Sequence, residues 1–205
     1  MPIESLFPTR VYTARLQGRG GGSLRSRLLR ECRQLRLDDR AGRRWSAVNY
    51  TGGYTSYGTA NRMHTLSPTF AELQQRLARH VNAFTAALEL DVAHRALSMT
   101  DCWVNIMPRG VAHGLHLHPL STLSGTFYVQ APGGCPGVKF EDPRLDRMMA
   151  APPRQRGASR ENQPWLTLPV QAGQLVMFES WLRHEVPPNT AAGDRISVSF
   201  NYSWF

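Results

Sequence analysis

Three places in this chain hold residues whose types and spacing could do chemistry. The first is the run Gly114-Leu115-His116-Leu117-His118-Pro119. In an extended strand alternate side chains share a face, so His116 and His118 project side by side while Leu117 turns into a core. Two same-facing imidazoles are half of a metal site, and imidazole is the commonest protein ligand for zinc, iron and copper. A His-x-His pair by itself is a weak signal, equally compatible with a polar loop. The second place strengthens it: His184 follows the predicted strand Leu175–Phe178, 66 residues beyond His118. In a sandwich of antiparallel strands, an early strand and a late one pair naturally across such a gap. The third place is Arg195-Ile196-Ser197, where Arg195 and Ser197 share a strand face by the same alternation. A guanidinium beside a hydroxyl is a receptor for a carboxylate, because it offers two parallel charge-assisted donors.

The elements that must position these groups can be read in outline. Leu6 to Tyr12 is apolar and partly β-branched and predicts a strand. Gly18 to Gly22 is punctuation, and Ser23 is placed to cap a helix to about Leu37, with Leu24, Leu28, Cys32 and Leu35 as its buried stripe and arginines opposite. Residues 38–66 read as irregular, with Gly52 to Gly58 as a mobile aromatic loop of the kind that can cover a site. Ser67-Pro68 opens the clearest helix, serine as cap and proline in the first turn, with Phe70, Leu73, Leu77, Val81, Phe84 and Leu88 at helical spacing to about Leu90. His80 and His94 belong to this region and are expected to pack or face solvent rather than bind metal.

Short strands separated by turns follow: Cys102–Met107, Leu123–Gln130, Gly137–Glu141, Leu166–Val170, Gln174–Phe178 and Arg195–Trp204. Asp142 to Gln163, rich in Pro, Arg and Ala, is an insertion loop. Strands at this spacing after two helices predict a mainly β fold, a sandwich or jelly roll with helices packed outside. We expect one domain over 1–205, with 1–97 supplying the first strand and supporting helices and 98–205 the jelly roll.

Composition narrows the function classes. The chain has 205 residues, 41% apolar and 19% charged, enough for a sizeable core. No apolar run approaches a membrane span, and the N-terminus lacks the pattern of a secretory signal, so a cytoplasmic location is expected. The three cysteines, Cys32, Cys102 and Cys135, are odd in number and far apart, against a disulfide framework or a Cys-x-x-Cys site. The net charge of +9 is almost all arginine, Lys139 being the only lysine. No aromatic-interleaved RNA motif or helix-turn-helix accompanies it, which counts against nucleic-acid binding.

Taken together, the motifs resemble the iron(II)- and 2-oxoglutarate-dependent oxygenases, and more narrowly a bacterial and phage group with an HxHP motif. The resemblance runs through Leu6-Phe7-Pro8-Thr9, Trp103-x-Asn105, His116-x-His118-Pro119, Leu123-Ser124-Gly125-x-x-Tyr128-Val129, Phe140-x-Asp142-Pro143-Arg144, Gly173-x-Leu175-Val176-x-Phe178-x-Ser180-Trp181-Leu182-x-His184 and Arg195-Ile196-Ser197-x-Ser199-Phe200-Asn201. It implies a double-stranded β-helix, ferrous iron, and 2-oxoglutarate as cosubstrate held by Arg195 and Ser197. Asn105 and Tyr128 would line the barrel as further cosubstrate contacts. The implied reaction oxidises a small-molecule or peptide substrate, most simply by hydroxylation, with release of succinate and carbon dioxide.

One position departs from the superfamily. Its usual iron triad is two histidines and a carboxylate, and His118 stands where the carboxylate belongs. Three ligand sets stay open. His116, His118 and His184 could all bind iron; a carboxylate, Asp142 first with Glu141, Glu179 and Glu185 behind it, could complete the triad; or His113 could replace one of the pair. A regular strand would turn His113 to the opposite face, unless Gly114 relaxes it. Two other functions compete: a three-histidine dioxygenase that needs no 2-oxoglutarate, and a non-catalytic jelly roll that binds a metal or small ligand. Trp103, Phe178 and Phe200 read as core; Arg109, Arg144 and Arg183 as surface charges or contacts for an acidic substrate. The oligomeric state is not legible.

Overall fold

The computed structural model describes residues 3–16, 21–92 and 96–204. Strand β1 (Val11–Arg15) is followed by helices α1 (Gly21–Asp38) and α2 (Arg40–Asn49), strand β2 (Tyr54–Thr55), and helices α3 (Met63–Leu66) and α4 (Pro68–Ala87). Eight strands then complete the chain: β3 (Ser98–Met107), β4 (His113–His116), β5 (Leu123–Gln130), β6 (Val138–Glu141), β7 (Trp165–Leu168), β8 (Gln174–Glu179), β9 (His184–Val186) and β10 (Arg195–Ser203). They form a six-stranded sheet, β1-β8-β5-β10-β3-β2, and a four-stranded sheet, β4-β9-β6-β7. Every strand pairing is antiparallel. This is the expected jelly roll with helices outside.

The large sheet is buried on both faces, and strand alternation assigns them different work. One face carries Cys102, Val104, Ile106, Phe127, Val129, Leu175, Met177, Ile196, Val198 and Phe200, packed against Leu24, Leu28 and Cys32 of α1 and Phe70, Leu73, Leu77, Val81 and Phe84 of α4. Burying side chains of this size contributes about 1.5–3 kcal/mol each. The other face carries Trp103, Asn105, Thr126, Tyr128, Arg195, Ser197 and Ser199 and looks into the sandwich. Ser67 caps α4 as read, its hydroxyl accepting from the Thr69 amide, and Cys32 and Cys102 are buried. His80 packs, bonded to the Tyr12 hydroxyl at 2.8 Å; His94 lies outside the described residues.

Several expectations are corrected. The first strand starts at Val11 rather than Leu6; Leu6 and Phe7 are exposed and Phe7 has a left-handed φ of 56°. Helix α1 begins at Gly21, ahead of Ser23. Residues 38–66 are not irregular: they hold α2, β2 and α3. α2 escapes sequence reading because it has no apolar stripe; its buried residues are Gly42 and Ser46. It is held by Asp39, whose carboxylate caps the Gly42 amide and also accepts from Tyr54 and Thr59. The glycine-flanked aromatic segment is no mobile loop either, since Tyr54 and Thr55 pair with Ile106 and Asn105 of β3 and are buried.

Candidate functional site

The site lies between the sheets, and strand register builds it. His116 on β4 sits directly opposite His184 on β9. His118 follows, just beyond the end of β4, its amide donating to the Ser180 carbonyl at 3.0 Å. The side-chain nitrogens of His116, His118 and His184 lie within 4.8 Å of one another. Their rings are mutual neighbours, with centroids 4.3 Å apart for His116 and His184 and 5.2 Å for His118 and His184. Phe178 and Phe140 wall the His184 side, and Trp103 the His118 side. Leu117, expected in a core, is 40% exposed, because the chain has left the strand by that point.

Each imidazole of the trio is oriented by an acceptor behind it. Nδ1 of His116 lies 2.7 Å from the Gly114 carbonyl, Nδ1 of His184 2.9 Å from the Leu182 carbonyl, and Nδ1 of His118 2.6 Å from Oδ1 of Asn201. A carbonyl oxygen only accepts, so Nδ1 must carry the proton and Nε2 keeps its lone pair. That is the state a metal-ligating imidazole needs. Burial holds all three neutral: the ring pKa falls to about 2 at His184 and about 4 at His118, and falls also at His116. At His118 the Asn201 bond and the charge of Asp101 oppose that fall.

His113 does not turn away as regular alternation demands. The four residues from His113 to His116 lie opposite only three on β9, Val186 to His184, a bulge that reverses the parity. Its ring stacks on His116 at 4.4 Å and an 11° tilt, borders the same cavity, and meets Tyr50 at 5.2 Å. It stands outside the trio of converging nitrogens.

Three of the four proposed carboxylates are engaged elsewhere. Asp142 takes a two-pronged bond from Arg144 at 2.8–2.9 Å, Glu141 pairs with Arg183 at 2.8 Å and Glu185 with Lys139 at 2.7 Å. Glu179 pairs through its backbone with Leu123 at the end of β8. Among the described residues no carboxylate joins the three imidazoles. The same pairs occupy Arg144 and Arg183, and Arg109 is exposed.

The anchor lies across the cavity on the large sheet. Ser197 of β10 is opposite Asn105 of β3 on one side and Tyr128 of β5 on the other, so the three predicted residues form one row. Arg195, two residues along, is 3% exposed. Its guanidinium lies 4.8 Å from the Tyr128 ring centroid, and Nη1 is 3.3 Å from the Met107 sulfur and 3.5 Å from the Ser197 hydroxyl. Among the described residues no carboxylate pairs with it. Nε of Arg195, the hydroxyls of Tyr50 and Tyr128, and Oδ1 of Asn105 are buried without a hydrogen-bond partner. Burial raises both tyrosine pKa values, so the phenols remain donors. A buried cation ringed by idle donors is costly by several kcal/mol unless an anion joins it.

Two groups of site residues were not foreseen. Tyr50 ends α2, whose pattern gave no helix signal. Asn201 and Asp101 lie on strand faces that alternation would have pointed inward, but nothing in their spacing tied them to His118.

No curated protein matches the chain in sequence. Residues 101–201 match the family described as "Putative 2OG-Fe(II) oxygenase". Solved structures of similar fold include the non-heme alpha-ketoglutarate-dependent epimerase SnoN from nogalamycin biosynthesis, 18% identical over 95% of this chain and 76% of that one, with a TM-score of 0.63. HygX from Streptomyces hygroscopicus, solved with nickel, 2-oxoglutarate and hygromycin B bound, is 17% identical over 95% and 83%, TM-score 0.59. A prolyl-4-hydroxylase from Pseudomonas putida is 18% identical over 95% and 92%, TM-score 0.56. The resemblance to the 2OG-Fe(II) oxygenases is thus borne out, though not the narrower HxHP group: residues 101–201 carry the sequence pattern of that family on a jelly-roll fold. Among the described residues no helix is long and apolar enough to cross a membrane.

Proposed function

We propose that this protein is a non-haem iron(II)- and 2-oxoglutarate-dependent oxygenase that binds iron through His116, His118 and His184. The observation that carries the proposal is one cavity holding three converging imidazoles on one wall and an unpaired buried guanidinium on the other. The residues fit both groups. Three neutral Nε2 lone pairs suit a divalent first-row metal, and imidazole suits iron. The Arg195 guanidinium, with the Ser197, Tyr50 and Tyr128 hydroxyls at hand, suits a carboxylate that arrives with the cosubstrate.

The engagement of Asp142, Glu141 and Glu185 with Arg144, Arg183 and Lys139 supports the three-imidazole set. With three neutral ligands the two carboxylates of 2-oxoglutarate match the +2 of iron, and the Arg195 guanidinium leaves the loaded site one unit positive. When bound, iron and 2-oxoglutarate together supply an oxidant made from dioxygen, the cosubstrate leaving as succinate and carbon dioxide.

The chain's own residues then have distinct tasks. His116, His118 and His184 hold the metal at the end of the cavity walled by Phe140, Phe178 and Trp103, which exclude water on those sides. Arg195 and Ser197 fix the far carboxylate and so set the cosubstrate's direction, with Asn105 and Tyr128 beside them. The substrate is a small molecule or peptide group entering from the cavity mouth, and hydroxylation is the outcome we assign.

The test is aerobic incubation of purified protein with iron(II) and labelled 2-oxoglutarate. Succinate above a metal-free control is expected, even without the substrate, through uncoupled turnover. Iron binding without any 2-oxoglutarate affinity would favour a three-histidine dioxygenase; no iron binding would leave only a ligand-binding jelly roll.

A further inference from the structure

The acceptor behind His118 differs in kind from those behind its two partners. His116 and His184 each bond a backbone carbonyl two residues away in their own segment, which cannot be reversed without refolding the strand. His118 instead bonds a side-chain amide 83 residues away, Asn201 on β10. An amide has two ends, and either could face the ring. If Nδ2 faced it, Nδ1 of His118 would have to accept, the proton would move to Nε2, and the lone pair would be lost from the cavity.

What decides the end is Asp101. Nδ2 of Asn201 lies 3.4 Å from Oδ2 of Asp101, the same oxygen that accepts from the Thr100 hydroxyl at 2.8 Å. Asn61 donates to the other oxygen at 3.2 Å. An ionised carboxylate only accepts, so it repels the amide oxygen and draws the amide nitrogen. The oxygen is thereby driven toward His118. Ser124 completes the cluster: its hydroxyl lies 2.8 Å from Oδ1 of Asn201, 3.0 Å from Nδ1 of His118 and 2.7 Å from the Ser180 hydroxyl. A hydroxyl can donate or accept, so Ser124 follows whichever orientation the amide takes and leaves the choice to Asp101. Strand pairing keeps the parts in place, since Asn201 sits opposite Asp101 on β3 and opposite Ser124 on β5.

We propose that Asp101, acting through Asn201, is the positioning residue that fixes His118 as its Nδ1–H tautomer and so makes this imidazole available to a metal. The carboxylate missing from the iron-ligand position is present two hydrogen bonds behind it. Asn201 is the element that transmits its direction. In this respect the inference deepens the proposed metal site, yet the tautomer can be read with no metal present.

The experiment is ¹⁵N NMR of histidine-labelled, metal-free protein near neutral pH, with Asp101→Asn, Asn201→Asp and the double variant. In the wild type, His118 should show a protonated Nδ1 and a lone-pair Nε2. Asp101→Asn leaves the amide without a direction and should give a mixture of tautomers. The double variant puts a carboxylate directly on Nδ1–H and should restore the single tautomer. His116 and His184, held by backbone carbonyls, should not change in any variant, which separates this role from general structural damage. Asn201→Asp alone covers the case in which Asp101→Asn fails to fold, and should keep the wild-type tautomer. A wild-type His118 protonated on Nε2, or a tautomer indifferent to Asp101→Asn, overturns the proposal. Cobalt(II) titration of the same proteins should show affinity about tenfold weaker in Asp101→Asn and recovered in the double variant, the usual scale for partners behind a ligand. A wild type with the expected tautomer but no metal affinity would sink the metal-site reading and leave this one standing.

Discussion

The two faces of the large sheet are built from the same strands and do opposite things. On β10, Ile196, Val198 and Phe200 point toward α1 and α4, while Arg195, Ser197, Ser199 and Asn201 point into the sandwich. Neither face is exposed, so burial alone cannot distinguish them. The helix-facing side is held mainly by apolar packing within the chain, with the buried, unpartnered hydroxyl of Tyr202 as the exception. The cavity-facing side is left incomplete, with an unpaired guanidinium, two idle phenols and three outstretched lone pairs. One face holds the fold, and the other spends some of that stability on a site awaiting a metal and an anion.

That contrast can be broken most strongly at Phe200. It is fully buried, and its ring sits where a side chain at Gly125 would fall, within 2.5 Å of a Cβ built there. Phe200→Ala should cost about 3–5 kcal/mol of stability, read as a fall in urea midpoint. Iron affinity in the surviving folded protein should be unchanged. A small stability loss would mean that this face is not the structural one.

Arg195→Met should show the reverse. Affinity for 2-oxoglutarate, measured by calorimetry, should weaken by about 2–5 kcal/mol through loss of the buried charge pair. Stability of the ligand-free protein should hold or rise, because the substitution removes a buried cation with no carboxylate partner. A destabilised variant with normal 2-oxoglutarate affinity would exchange the roles assigned to the two faces.

Gly125→Ala is a gentler probe of the packed face. Its Cβ would meet the Phe200 ring and the Met177 side chain at 2.5–2.8 Å, so it should cost about 1–3 kcal/mol by overpacking. Acidity probes the other face. Burial holds His184, His118 and His113 neutral, their pKa values lowered to about 2, 4 and 3 from an ordinary 6.5. The unfolded chain therefore takes up protons first as pH falls. The stability these rings contribute is complete above about pH 6.5 and is lost progressively below it. A denaturation midpoint in metal-free protein that stays flat from pH 7 to 5 would contradict this.

The packed face was the legible one. The stripe Leu24-Leu28-Cys32, the run from Phe70 to Leu88 and the alternating strands repeat at periods that sequence displays directly. Arg195-x-Ser197 and His116-x-His118 were legible as pairs for the same reason. What stayed hidden depends on long-range geometry. α2 has no apolar period because it is fastened by Asp39 rather than by a stripe, so Tyr50 could not be brought to the cavity. The bulge between His113 and His116 reverses a parity that regular alternation predicted. Asn201 reaches His118 only because β10 lies beside β3 and β5.

The most direct test of the account is the crystal structure of the protein with iron(II) and 2-oxoglutarate, grown without oxygen. We expect iron bound by Nε2 of His116, His118 and His184, with the far carboxylate of 2-oxoglutarate on Arg195. A protein carboxylate such as Asp142 on the iron in place of His118, or a cosubstrate that does not touch Arg195, would contradict it.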